Sequence, residues 1–191
     1  MSDKYSSERL ELNLFNLIIS HLPGRYEFNE AMRILRSLLP GLRVFDTPPP
    51  LILARVEDPY LAVKFLMENI PRGSPIIRAI PLDAVTLPYL SHVKLVVEKL
   101  AKRKLEPSDT FAIRLEGHLY ASNDKGVRRL HKDEAIRAIA EKINNKVKLY
   151  APDKLILIKV VRVSRALRYA GIMVAPPSSI YAPLKSSRNK Y

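Results

Sequence analysis

The sequence KLILIKVVRV, at residues 154–163, is the longest nearly continuous apolar stretch of the chain. It is far shorter than the roughly 20 apolar residues that a membrane-spanning helix needs. A run of this length, rich in Ile, Leu and Val, is typical of a strand that is buried on both of its faces. Such a strand lies inside a sheet covered by helices, so we predict an α/β architecture for the C-terminal half of the chain.

The segments around this strand support that architecture. Residues 110–116 (TFAIRLE) alternate strictly, with Phe111, Ile113 and Leu115 on one side, which predicts a half-buried strand. Apolar residues at helical spacing predict helices at 87–104 and 132–144. A closing strand is predicted at 170–175, and the polar connection at 118–130 is predicted to be a loop or a short hairpin.

The N-terminal half is predicted to alternate strands and helices in the order β-α-β-β-α-β. The strands are expected at 13–20, 42–47, 51–56 and from residue 76 within 76–85, where Pro81 should end the strand or place it at a sheet edge, and the helices at 26–39 and 59–69. Asp58-Pro59 is a helix-start signal, since Asp caps the first turn and Pro occupies the first helical position. This order defines the ferredoxin-like unit.

The chain as a whole is therefore predicted to be α+β, with a ferredoxin-like domain followed by an α/β domain. We expect an N-terminal tail at 1–11, the ferredoxin-like domain at 12–85, the second domain at 86–176 and a flexible basic tail at 177–191.

The positive charge is confined to the second half of the chain. Residues 1–85 are neutral overall, whereas residues 86–191 carry 22 Lys and Arg against nine Asp and Glu, which accounts for the whole net charge of +13. Such segregation predicts a polyanionic partner for the second half. Nucleic acid is favoured over a membrane surface, because no predicted helix pairs a basic face with a large apolar one.

Several kinds of chemistry are excluded or poorly supported by composition and spacing. The chain has no Cys, which excludes thiolate metal sites and thiol nucleophiles. Its six glycines form no phosphate-binding loop, and its four histidines show no zinc-ligand spacing. We therefore expect no cofactor, no metal and no catalytic residue, although a small enzyme with an unrecognised site remains an alternative.

The candidate binding residues are cations with long side chains, which suit contacts to phosphates. Arg128 and Arg129 are the strongest candidates, because an arginine pair in a loop rarely has a packing role. Tyr120 and Tyr169 are candidates for stacking on bases, with packing at a sheet edge as the alternative. The predicted RNA-binding set is Lys102, Arg103, Lys104, Arg114, Lys125, Arg128, Arg129, Lys132, Lys159, Arg162, Arg165, Arg168 and Tyr169.

Four segments carry a resemblance to a known family. They are the strand IRAIP at 77–81, the strand at 110–116, the helix start KDE at 132–134, and VKLYAPDK at 147–154 leading into the buried strand. In these segments and in the order of its elements, the chain resembles THUMP-domain RNA-binding proteins over about residues 12–176. Among them it is most similar to stand-alone THUMP proteins such as the adaptor of tRNA cytidine acetyltransferase.

The resemblance implies a THUMP module that grips the acceptor stem and CCA end of tRNA and presents the tRNA to a separate modifying enzyme, plausibly one that forms N4-acetylcytidine. The basic stretch from Lys125 to Lys132 has no counterpart in the family pattern, so its role is inferred from charge alone. A general RNA-binding protein, for instance of ribosomal RNA, is the main alternative. We further expect a cytoplasmic protein, and the absence of Gln and Cys beside 15 prolines suggests a thermophilic source.

Overall fold

The computed structural model describes residues 10–123 and 126–183. These residues form two compact units. The first unit contains Leu14–Leu82 together with residues 178–183, and the second contains residues 10–13 together with Asp83–Pro177.

The first unit has the predicted βαββαβ order. Its elements are β1 Leu17–His21, α1 Arg25–Leu38, β2 Arg43–Asp46, β3 Leu51–Arg55, α2 Pro59–Asn69 and β4 Ile76–Pro81. The strands form one antiparallel sheet in the order β2-β3-β1-β4. This is the strand order of a ferredoxin-like unit, so that prediction is confirmed.

The helices of this unit form where the sequence predicts them. The side-chain carboxylate of Asp58 accepts hydrogen bonds from the backbone N–H groups of Tyr60 and Leu61, which begins α2. Both helices contribute to one core with the strands, and Leu17, Leu35 and Leu66 are completely buried in it. Burial of these apolar faces holds the helices on the sheet.

The second unit contains one mixed sheet, one hairpin and two helices. Its elements are β5 Ala84–Thr86, α3 Leu90–Lys104, β6 Thr110–Glu116, β7 Tyr120–Asn123, β8 Gly126–Arg129, α4 Lys132–Ala140, β9 Lys146–Val147, β10 Lys154–Arg162 and β11 Arg168–Ala175. The sheet order is β5-β11-β10-β6-β9, and β7 pairs with β8. β6 runs parallel to β10 and β9, whereas β11 is antiparallel to β10 and β5.

The two helices of this unit cover one face of the sheet. Val97 and Leu100 of α3 and Ile139 of α4 share a core with Ile156 and Ile158 of β10. The apolar stretch at 154–163 is therefore a buried strand inside the sheet, as predicted. The mixed α and β content and the order of elements confirm the predicted fold class.

The segment between the two units contains two strands. The strand that begins at Ile76 ends at Pro81 and lies at an edge of the first sheet, as predicted, and Ala84–Thr86 forms β5 in the second sheet. The backbone N–H of Leu82 donates to Asn16, and that of Asp83 donates to Ile172. The division between units therefore falls after Leu82, a few residues before the predicted boundary, and Leu12 joins the second unit by donating to Val85.

The predicted flexible tail is partly paired with the first unit. Tyr181 exchanges two backbone hydrogen bonds of 3.0 Å with Ala79 of β4, and its side chain packs against the core of the first unit. The expectation of flexibility from residue 177 is corrected at this point. The basic residues Lys185, Arg188 and Lys190 lie outside the described residues.

Candidate nucleic-acid interface

The carboxyl ends of β6 and β10 meet at one edge of the second sheet. The two strands are parallel, and Glu116 at the end of β6 is in register with Lys159. Gly117 follows with a φ of +94°, and a Cβ atom at this position would lie 2.8 Å from the Cβ of Val160. Glycine therefore lets the chain leave β6 close against β10 and enter the β7–β8 hairpin at this edge.

Buried leucines at both ends of the β7–β8 hairpin fix it to the core. Leu119 and Leu130 lie among the core residues of the second unit, and the N–H of Leu130 donates to the carbonyl of Leu119. The N–H of Tyr120 donates to Pro88, just before α3. The hairpin that was predicted as one of two possibilities is therefore present, and its strand β8 carries Arg128 and Arg129 with exposed side chains.

The hairpin and the start of α4 form a positively charged cluster around His118. Arg129 hydrogen-bonds the His118 ring at Nε2. Partial burial and the nearby charges of Arg129, Lys132 and His131, in that order, lower the pKa of His118 below its usual value of 6.5. Arg129, Lys132 and His131 therefore lie close enough to His118 for their charges to act on the same ring.

Arg128 is not a free cation, in contrast to the prediction that the arginine pair has no structural role. Its guanidinium donates two hydrogen bonds to the Glu134 carboxylate, of 2.5 and 3.1 Å. These bonds lower the pKa of Glu134 and raise that of Arg128. Arg128 thus ties β8 to the first turn of α4. The negative charge of Glu134 partly compensates its positive charge, so Arg128 attracts phosphate less strongly than an unpaired arginine would.

The turn between β10 and β11 brings three further arginines to the same edge. Arg162 ends β10, Arg168 begins β11, and Arg165 lies exposed between them. The turn is closed by a hydrogen bond from the N–H of Val163 to the carbonyl of Leu167, and Arg162 Nε donates to the carbonyl of Ser164. We call the six residues of this edge the carboxyl-edge cations: Arg128, Arg129, Lys132, Arg162, Arg165 and Arg168.

Two helices also begin at this edge. Tyr89 and His131 are the N-cap residues of α3 and α4, and neither side chain caps its helix. The N-terminus of a helix carries a partial positive charge, which favours anions. The helix ends therefore add to the positive potential of the carboxyl-edge cations.

Three predicted cations lie at the opposite end of the second unit. Lys102, Arg103 and Lys104 form the last turn of α3. Lys104 Nζ lies 2.5 Å from Oδ1 of Asp83, and Oδ2 of the same carboxylate accepts a hydrogen bond from the N–H of Val174. Lys104 is therefore part of the structural framework. Lys102 pairs with Glu98. The predicted RNA-binding set therefore does not form one continuous surface, because α3 runs away from the carboxyl edge.

Other predicted residues have structural surroundings of their own. Lys159 is only 16% exposed and pairs with Glu116 at 2.9 Å. Tyr169 is 9% exposed in β11, which matches the packing alternative rather than base stacking. Arg114 is exposed in mid-strand, on the face of β6 away from the helices, and Tyr120 is half-buried. Lys125 lies outside the described residues.

Sequence reasoning missed two residues that shape this edge. Neither Glu134 nor His118 belongs to the predicted RNA-binding set. A carboxylate following an arginine pair by a few residues was the available signal for the Arg128–Glu134 contact. The sequence contained no comparable signal for the burial of His118.

Two kinds of site are not found within residues 10–123 and 126–183. In this part of the chain no group of three or more His, Asp or Glu side chains has the arrangement to hold a metal ion. No described helix combines the length and apolar character needed to cross a bilayer.

Solved structures share this fold at low sequence identity. PH1313 from Pyrococcus horikoshii Ot3 aligns with a TM-score of 0.58 and 16% identity, over 85% of this chain and 55% of that one. A 4-thiouridine synthetase, solved as an RNA complex with bound ATP, aligns with a TM-score of 0.52 and 14% identity, over 85% of this chain and 42% of that one.

The similarity to known proteins lies in the fold. No protein-family model matches the sequence, and no curated protein is detectably similar to it. The chain spans about half the length of the two solved structures. The arrangement of a ferredoxin-like unit followed by an α/β unit is thus a THUMP-like fold, as the sequence resemblance implied.

Proposed function

We propose that this chain binds RNA through the carboxyl-edge cations and that its biological substrate is tRNA. The observation that carries the proposal is the concentration of six Lys and Arg side chains at one edge of one sheet, with two helix N-termini. Among the described residues of this edge, Glu116, Asp133 and Glu134 are acidic; Glu116 is paired with Lys159 and Glu134 with Arg128. Phosphate groups are the natural counter-charge for such a surface.

The similar 4-thiouridine synthetase supports RNA as the polyanion, because it was solved with RNA bound. The THUMP resemblance supports tRNA in particular, and its acceptor stem and CCA end as the bound region. A separate enzyme then performs the chemistry, and the resemblance favours an acetyltransferase that forms N4-acetylcytidine. In this proposal the chain contributes binding and orientation, and the partner contributes catalysis.

Affinity for tRNA as a function of salt concentration tests the binding surface. Lys132 and Arg165 are exposed and come from different elements of the edge. Replacing both by Ala is expected to reduce the slope of log affinity against log salt by about 1.4–1.8, since each phosphate contact contributes about 0.7–0.9.

A matched control separates this surface from general charge. Arg36 and Arg72 are exposed cations of the first unit, and Arg36→Ala/Arg72→Ala removes the same charge elsewhere. We expect this control to keep the wild-type slope. Equal losses in both double variants would show that the carboxyl edge has no special role.

Two further measurements test the finer parts of the proposal. Removal of the CCA end is expected to weaken tRNA binding more than the loss of its phosphates explains, whereas equal binding would favour a general RNA-binding protein. In cells that lack this chain, tRNA is expected to lack N4-acetylcytidine, and Lys132→Ala/Arg165→Ala is expected to restore less of it than the wild type. Unchanged N4-acetylcytidine would reject the acetyltransferase partnership.

A further inference from the structure

Three apolar side chains within four residues project into solvent at the opposite end of the second sheet. Val147, at the end of β9, is 52% exposed, Leu149 is 80% exposed and Tyr150 is 90% exposed. Isolated apolar residues are common on protein surfaces, but a group that ends in an almost fully exposed aromatic ring is a mark of a contact site.

The loop that carries Tyr150, residues 148–153, is held in a fixed conformation. The Asp153 carboxylate accepts hydrogen bonds from the backbone N–H and the hydroxyl of Thr110, at 2.8 and 2.6 Å. The N–H of Lys148 donates to the carbonyl of Phe111. Ala151 has a φ of 44°, in the left-handed region that non-glycine residues rarely adopt. A ring presented on such a fixed loop loses little conformational freedom when it binds a ligand.

Lysines surround the exposed ring. Lys146 and Lys148 precede it and Lys154 follows it at the start of β10. Asp153 is the acidic residue within the loop, and its carboxylate is hydrogen-bonded to Thr110. These hydrogen bonds, together with the charge of Lys148, lower the pKa of Asp153. The other charged residues of the segment 146–154 are thus lysines, which favours an anionic ligand.

This loop is separate from the carboxyl-edge cations. It lies at the amino ends of β6 and β10, beside Thr110, whereas the cations lie beyond the carboxyl ends of the same strands. β10 has nine residues, so the two edges are roughly 26 Å apart at about 3.3 Å per residue.

We propose that the 148–153 loop is a second RNA contact that binds an unpaired nucleotide. The Tyr150 ring stacks on the base, Leu149 extends the apolar surface beside it, and Lys146, Lys148 and Lys154 contact the flanking phosphates. Aromatic rings flanked by cations bind single strands in this way without a strict sequence preference. The inference rests on the proposed RNA binding but uses a different surface.

The chain contains no Trp, so Tyr150→Trp introduces a single fluorescent reporter at the loop. Titration with a ten-nucleotide oligouridylate is expected to quench its emission saturably, because the indole stacks on a base. Tyr26→Trp is the matched control, since Tyr26 is 78% exposed in the first unit, and its emission is expected to stay constant. Emission from Tyr150→Trp that does not respond would overturn the proposal.

Affinity measurements on Tyr150→Ala complete the test. This variant is expected to bind the oligouridylate about 5- to 150-fold more weakly, the range for loss of one stacked base, and to bind a ten-base-pair RNA duplex as the wild type does. Because the Tyr150 ring is exposed, the melting temperature of the variant is expected to equal that of the wild type.

The outcomes for the two surfaces are distinguishable. Duplex binding that depends on Lys132 and Arg165, without quenching at position 150, rejects only the second contact and indicates a protein-binding role for the loop. Absence of binding to both the duplex and tRNA rejects the proposed function itself.

Discussion

Replacing Glu134 by Gln is expected to strengthen RNA binding. In the free protein the Glu134 carboxylate holds the Arg128 guanidinium with two hydrogen bonds, while the two side chains are 44% and 57% exposed. A glutamine accepts at most one such bond and carries no charge, so Arg128 becomes available to a phosphate. The N–H of His131, which also bonds Glu134, keeps an acceptor in the amide oxygen.

The size of the effect follows from the removed charge. One unit charge acting on a phosphate at about 5 Å in bulk water changes the affinity about fourfold. A new phosphate contact by Arg128 also steepens the salt dependence of log affinity by about 0.7–0.9. Both quantities are measurable in one series of fluorescence-anisotropy titrations with labelled tRNA at several salt concentrations.

A double-mutant cycle identifies the residue responsible. Arg128→Ala alone is expected to weaken binding, because it leaves the Glu134 carboxylate without its ion-pair partner beside the phosphates. If the increase in affinity acts through Arg128, Glu134→Gln is expected to increase the affinity for tRNA less in the Arg128→Ala variant than in the wild type. Weaker binding by Glu134→Gln, at an unchanged melting temperature, would refute the assignment of RNA to this edge.

Three further predictions concern His118, Gly117 and Asp83. RNA phosphates near His118 are expected to raise its depressed pKa, so RNA binding takes up a proton and the affinity increases as the pH falls from about 7.5 to about 5.5. His118→Gln is expected to flatten this pH dependence of the affinity in anisotropy titrations. A steeper pH dependence in the variant would contradict the prediction. Gly117→Ala is expected to lower the free energy of unfolding by about 2 kcal/mol or more in urea titrations, because φ is +94° and the new Cβ would lie 2.8 Å from the Cβ of Val160. Asp83→Ala is expected to lower it by about 2 kcal/mol, since the carboxylate bonds both Lys104 and the Val174 N–H; unchanged urea midpoints would show that these contacts are dispensable.

The elements with a strong local pattern were predictable from the sequence. The alternation in TFAIRLE predicts the strand Thr110–Glu116 with its observed bounds, and Asp58-Pro59 predicts the start of α2. These signals depend on neighbouring residues only, so they do not require knowledge of the tertiary structure. The ferredoxin-like strand order follows from the order of such elements along the chain.

The contacts that decide the candidate sites depend on distant residues. Lys104 and Asp83 are 21 positions apart, and Thr110 and Asp153 are 43 positions apart. Cation counts along the chain therefore predicted a basic half, but they could not show that α3 carries three of its cations away from the carboxyl edge. β9 was missed because a two-residue edge strand has no periodicity of its own.

The anchoring of the β7–β8 hairpin has a consequence for mutagenesis. Leu119 and Leu130, which are 0% and 2% exposed, fix both ends of the hairpin to the core. Among the described residues between these leucines, exposed positions other than Arg128 and Arg129, which bond Glu134 and His118, can mutate with little effect on the helices or the sheet beneath. A laboratory library restricted to such positions of this hairpin is therefore a practical way to vary the charge and shape of this surface while stability is preserved.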